Sequence, residues 1–199
     1  EMCIRDRDMG DCFGVVGGDA VLDGCGVCEG GGINGIDCEL TDIDGNVYET
    51  VVIGDQLWMA ENLKVSRYNN GDVIPTGLGN SQWSTTTSGA VTIYDGNFPW
   101  NDEESNADSY GYLYNWYAVD DSRGVCPEGF HVPSDEEFTI LVDFLGGESV
   151  AGGKMKETGF EHWQGPNTGA TNESGFTGLG GGDRHDYNSE DFFDMTEGG

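Results

Sequence analysis

The chain has 199 residues, enough for one domain with a real core and a small appendage. Asp and Glu number 37 against 8 Lys and Arg, a formal net charge of -29. That field repels phosphate backbones and anionic lipid, which excludes nucleic acid and membrane insertion. It attracts cations, among which Ca2+ best suits carboxylate and carbonyl oxygens. Aromatic residues at 11% exclude a disordered acidic tail, and 34 glycines point to loop-rich structure with short strands. No run spans a bilayer and no signal peptide is visible, so a secreted protein would carry its signal upstream of this fragment.

The string Met2-Cys3-Ile4-Arg5-Asp6-Arg7 resembles translated sequencing-adapter sequence, which recurs at the ends of metagenomic gene models. Residues 1–10 are therefore read as a leader foreign to the fold, and Cys3 is set aside with them. Residues 11–39 have a composition of their own, dense in Gly, Cys and Asp, with too few apolar side chains to fold without crosslinks or a metal. Three readings stand side by side. Cys12, Cys25, Cys28 and Cys38 pair as disulfides, in one of three ways that sequence does not distinguish. Alternatively they form a four-thiolate zinc site, Cys25-x-x-Cys28 being half of a zinc ribbon. In the third reading disulfides stand beside a calcium site built from Asp11, Asp19, Asp23 and Asp37. The segment resembles the DCxGxCGGxAxxDxCGxCxG linker repeats of secreted multi-domain bacterial proteins, with Val16 where the repeat has Cys. That resemblance implies a spacer in an oxidising compartment.

The principal domain is read as residues 41–199. Val47 to Ile53 is β-rich, Gly54-Asp55 marks a turn, and Gln56 to Met59 is the return strand. Asp42-Ile43-Asp44-Gly45-Asn46 reads as a hairpin turn, because its Gly comes too early for an EF-hand loop. From 66 to 109 periodicity is lost, and Trp83, Tyr94, Phe98 and Trp100 sit among polar loops. Such aromatics either pin loops to the core or stack on ligands; Trp83, Tyr94 and Trp100 are the candidate platforms for sugar rings. The aromatic run Tyr110 to Val119 reads as buried, as helix or strand. The clearest helix starts at Ser134, where Ser134 and Glu137 form a capping box after Pro133. Phe138, Leu141, Val142 and Leu145 make one apolar stripe, and Gly146-Gly147 ends the helix. A glycine-rich tract follows, and residues 183–194 read as a solvated acidic loop between strands. His131, His162 and His185 show no ligand spacing, and no hydrolase, P-loop or dinucleotide motif occurs, so the chain reads as non-catalytic.

Several motifs run in order through this domain: DIDGNVYETVVIGDQLWMAENLK (42–64), YGYLYNWYAV (110–119), CPEGFHVPSDEEF (126–138), AGGKMKETGFEHW (151–163) and PNTGATNESGFTGLGGGDR (166–184). With them the chain resembles the Fibrobacter succinogenes major paralogous domain, a family of secreted proteins and lipoproteins. The resemblance implies an α+β, C-type-lectin-like fold, loop-rich, with short antiparallel strands and one or two short helices. Trp58, Asn62, Trp116, Ser134, Glu137, Phe138, Leu141 and Trp163 are read as its structural residues. The family's closing strand carries a cysteine in an RCV-like setting, and the chain stops before it. That leaves Cys126 without its disulfide partner and a sheet edge unpaired. HVPSDEEF also resembles formylglycine-generating enzymes, which need a late pair of copper-binding cysteines that this sequence lacks. The expected function is a non-catalytic module of the extracellular space or outer cell surface, binding polysaccharide or a surface protein, with Ca2+ as its cation. The alternative is a purely architectural domain with no ligand.

Overall fold

The alternation of Thr50 to Met59 around Gly54-Asp55 produces the hairpin on which the rest is built. The computed structural model describes residues 2–6, 40–94, 103–184 and 192–195. Five strands come first: β1 (Ile4–Asp6), β2 (Leu40–Thr41), β3 (Val47–Tyr48), β4 (Thr50–Ile53) and β5 (Gln56–Met59). β4 and β5 pair antiparallel from Thr50↔Met59 to Ile53↔Gln56, leaving a two-residue loop. Gly54 has φ +61, and a Cβ there would lie 3.0 Å from the Phe144 ring, so glycine serves both the turn and the packing above it. β2 and β3 pair across the Asp42–Asn46 turn. Asp42 Oδ1 accepts from the backbone N–H of Asp44 and Asn46 at 2.9 Å each, and Oδ2 accepts from the Tyr48 hydroxyl at 2.6 Å. The carboxylate is thus consumed by its own turn.

All four residues of β5 are buried, because the strand lies between two core clusters. Trp58 faces Ile53, Leu141, Leu145, Ala151 and Phe176, whereas Met59 faces Tyr48, Leu63, Val65, Tyr114 and Val125. Alternate side chains of one strand therefore feed opposite faces of the sheet.

The sheet order is β1-β5-β4. The segment read as a foreign leader forms a wall of the core: Ile4, Arg5 and Asp6 pair with Trp58, Leu57 and Gln56. Cys3 and Ile4 are fully buried, one in each cluster. Cys126, expected to lack a partner, is bonded to Cys3 across 123 residues of sequence. The pairing joins positions too far apart for any local pattern to reveal.

The helices and remaining strands follow in order: α1 (Asn80–Trp83), β6 (Val91–Thr92), α2 (Glu103–Tyr110), β7 (Leu113–Tyr114), α3 (Trp116–Val119), α4 (Asp135–Phe144), α5 (Glu148–Met155), β8 (Gly181–Arg184) and β9 (Phe192–Met195). These small antiparallel sheets and short helices make a mixed α+β fold, with five helical segments among the described residues where one or two were expected. The aromatic run 110–119 resolves into the end of α2, a strand and a single helical turn. The expected loop 183–194 instead carries parts of a hairpin, β8 pairing antiparallel with β9.

α4 begins where the capping box sets it. Ser134 Oγ accepts from the Glu137 N–H, and Glu137 Oε2 accepts from the Ser134 N–H at 2.6 Å. Leu141 and Leu145 are buried beneath it. Phe138 is only partly covered, lying 5.5 Å from the Trp58 ring at the margin of the stripe. Gly146 and Gly147, at φ +103 and +100, end the helix and turn the chain into α5. α5 replaces the first part of the expected glycine tract. Its Gly153 lies against the Gly169 carbonyl oxygen, and a Cβ there would collide with it. Glycine is placed in this helix for close approach of a loop, which outweighs its low helix propensity.

Among the described residues, no helix is long and apolar enough to cross a membrane.

Candidate functional site: an acidic cleft at His162

After α5 the chain is stapled to a later loop. Gly178 N donates to Met155 O at 2.8 Å, Glu157 N donates to Gly178 O at 3.0 Å, and Trp163 Nε1 donates to the same Gly178 oxygen at 3.0 Å. Lys156 Nζ sits 3.9 Å from the Trp163 ring centroid, so the indole is held by a cation on its face and a hydrogen bond at its edge. Asn167 Nδ2 donates to the carbonyls of Glu157 and Gly159 at 2.9 Å each, fixing the intervening turn.

This framework sets Glu157 against His162. Nδ1 of His162 lies 2.9 and 3.0 Å from the two carboxylate oxygens of Glu157, and the Tyr110 ring stands edge-on to the imidazole at 5.8 Å. Burial, then the Glu157 charge, push the Tyr110 hydroxyl above its ordinary range, so it remains a neutral donor. Glu161 joins the pair: one ligand atom each from Glu157, Glu161 and His162 lie within 4.8 Å of one another. Two carboxylates and an imidazole make a donor set for a divalent cation, and the imidazole suits zinc better than calcium.

The cluster borders a cleft of about 300 Å³. Its opposite walls come from Glu49, Glu61, Asn62 and Lys64 beyond the β4–β5 hairpin, from Asp108 and Ser109 at the end of α2, and from the Gly175–Leu179 loop. Four carboxylates thus line the cleft, and Lys64 is the single Lys or Arg in its lining. In the loop wall Thr177 holds φ +58, a conformation rare for a β-branched residue. Asn172 stabilises it twice, its Oδ1 accepting from Thr177 N at 2.8 Å and its Nδ2 donating to Thr177 Oγ1 at 2.9 Å.

The residues expected from sequence lie elsewhere. Tyr94 is buried, with Asn106 Nδ2 donating to its carbonyl, so it is a core pin and presents no face to a sugar. Trp83 is half-buried on a second hollow of about 380 Å³, with the Arg184 guanidinium 4.4 Å from its ring centroid. Trp100, the calcium candidates Asp11, Asp19, Asp23 and Asp37, and Cys12, Cys25, Cys28 and Cys38 lie outside the described residues. Trp58 is fully buried, whereas Trp116, read as buried, is 67% exposed at the start of α3, whose buried residue is Ala118. Asn62 is half-buried between the two hollows, and Gly111 packs so closely on it that a Cβ there would come within 2.7 Å. The Glu157–Glu161–His162 cluster was missed because its spacing sits in irregular backbone; only the density of donors in ETGFEH hinted at it.

A family model described as the Fibrobacter succinogenes major domain matches residues 51–199. No curated protein and no solved structure matches the chain.

Proposed function

The chain belongs to the family of the Fibrobacter succinogenes major domain, and from that premise we propose that it is a non-catalytic binding module of the extracellular space or outer cell surface. Its fold is of the C-type-lectin type, and its ligand site is the acidic cleft at His162. The observation that carries this reading is the convergence of Glu61, Asp108, Glu157 and His162 on one concave surface of about 300 Å³. A hollow of that size takes one or two sugar units. Carboxylates accept hydrogen bonds from hydroxyls and amines and repel sulfate, phosphate and uronate groups. The ligand class is therefore a neutral or amino-sugar glycan. A divalent cation at Glu157, Glu161 and His162 would add a point of attachment for sugar hydroxyls.

The test is a polysaccharide pull-down and glycan array with the whole chain, with and without EDTA. Neutral or amino-sugar glycans are expected to bind, and Glu157→Gln with His162→Ala is expected to weaken them at least tenfold. Trp83→Ala, on the other hollow, is expected to leave binding unchanged. Loss with EDTA assigns a cation to the site, and retention assigns binding to the carboxylates alone. Binding to no glycan or surface protein would replace this reading with the architectural one. Turnover of a bound glycan that is lost in His162→Ala would overturn the non-catalytic assignment.

A further inference from the structure

β1 is a plug held from both sides. On one side it pairs with β5, Met59 N donating to Cys3 O at 3.0 Å. On the other, Ile4 and His131 exchange both backbone hydrogen bonds, at 2.8 and 2.9 Å. Cys3 packs in the cluster of Met59 and Val125, and Ile4 in that of Trp58, Leu141 and Phe176, so this one strand seals both halves of the core. The disulfide to Cys126 locks it there.

Positions 7–39, 33 residues in all, separate this plug from β2. With its cysteines reduced, such a length spans at most about 110 Å, whereas a domain of this size is roughly 40 Å across. The connection therefore permits β1 to fill its own slot or the same slot in a neighbouring molecule with identical contacts. We infer that the slot between β5 and His131 is a strand acceptor whose partner is a second copy of this chain. Two molecules exchange β1 reciprocally, Cys3 of each bonding to Cys126 of the other, and the product is a closed two-fold dimer.

The two arrangements have the same strand contacts and differ in how concentrated β1 is at the slot. A connection of 33 residues holds it at roughly millimolar effective concentration. The monomer therefore prevails in dilute solution, and exchange gains ground as the protein approaches that concentration. The covalent step conserves electrons. A small-molecule thiolate attacks Cys126 Sγ and expels Cys3 as a thiolate, leaving a mixed disulfide at Cys126. After the strands have changed places, the Cys3 thiolate of the other molecule attacks Cys126 Sγ and expels the small thiol. Two intrachain bonds become two interchain bonds, with no net oxidation and the thiol regenerated.

The experiment mixes equal amounts of ¹⁴N- and ¹⁵N-labelled wild-type chain, unfolds and reduces them, and reoxidises them in a glutathione buffer from micromolar to millimolar protein. The Cys3–Cys126 crosslinked peptide is then read by mass spectrometry, which sets it apart from crosslinks through the other cysteines. The expected result is a light–heavy peptide that is scarce at micromolar protein and rises to about a quarter of the total at millimolar protein, half being the limit of complete exchange. Ile4→Asp, which cannot seat in the apolar slot, is expected to lower the yield of the Cys3–Cys126 peptide at least tenfold. Only light–light and heavy–heavy peptides at every concentration would overturn the proposal, as would an unchanged mixed yield in Ile4→Asp.

Discussion

Nε2 of His131 lies 2.6 Å from Oε1 of Glu137, across the entry to α4. The other oxygen of Glu137 accepts from the Ser134 N–H at 2.6 Å and the Ser134 hydroxyl at 2.7 Å. One carboxylate thereby joins the His131 segment, which borders β1, to the first turn of the helix that covers Trp58. Burial pulls Glu137 upward, but the bonds from Ser134 and His131 outweigh it and hold the group down at about 2, against its ordinary 4.5.

A depressed folded-state value fixes the sign of the pH dependence. The contribution of Glu137 is complete above about 4.5 and is lost as pH falls toward about 2. Glu137→Gln is expected to destabilise the domain by about 1–3 kcal/mol at neutral pH. In paired thermal melts the gap between wild type and variant should narrow steadily from pH 5 to pH 2. A gap independent of pH would detach the carboxylate charge from helix capping.

Closing a loop of 123 residues with a disulfide restricts the unfolded chain strongly. Cys3→Ala with Cys126→Ala should cost about 5 kcal/mol by the loop-entropy relation. Urea unfolding of wild type and double variant reads the difference, and a loss under about 1 kcal/mol would show that the N-terminal strand adds little to stability.

Two adjacent glycines of α5 should respond in opposite directions. A Cβ at Gly152 meets nothing within 4 Å, so Gly152→Ala should stabilise by up to about 1 kcal/mol through helix propensity alone. Gly153→Ala drives the new methyl into the Gly169 carbonyl and should destabilise by about 1–3 kcal/mol. Chemical denaturation of the two variants checks the contrast, which vanishes if the loop at 169 can move away freely.

On α4 the contrast is between faces. Leu141 is 1% exposed and Ile140 is 50% exposed. Leu141→Ala should cost about 2–5 kcal/mol and Ile140→Ala within about 0.5 kcal/mol. Equal losses at both sites would mean that the stripe does not face the core.

What was legible in the sequence was what neighbouring residues decide among themselves. Ser134, Glu137, Leu141, Leu145 and Gly146 specify a helix, its face and its end within a dozen positions. The Gly54-Asp55 hairpin and the Asp42 turn are equally local. The slot filled by Cys3 and Ile4 depends on partners more than fifty and a hundred residues away, so no pattern near the N-terminus announces it. Gly152-Gly153 hid α5, because a glycine chosen for close approach looks like a helix breaker in a string. Tyr94, open between core pin and ligand platform, is buried, and Trp116, read as buried, is exposed, because irregular segments carry no period from which a side chain's direction can be read. For the same reason Glu157, Glu161 and His162 became a cluster only when the loop was folded onto Gly178.

Chemical-shift mapping reads out whether ligand occupies the cleft at His162. Backbone ¹H–¹⁵N spectra of the whole chain are recorded during titration with short oligomers of a neutral or amino-sugar glycan that the chain retains. Saturable shifts confined to Glu61, Asp108, Glu157, His162 and the Gly175–Leu179 loop are expected. Shifts centred on Trp83 and Arg184, with the His162 cleft unmoved, would contradict binding there.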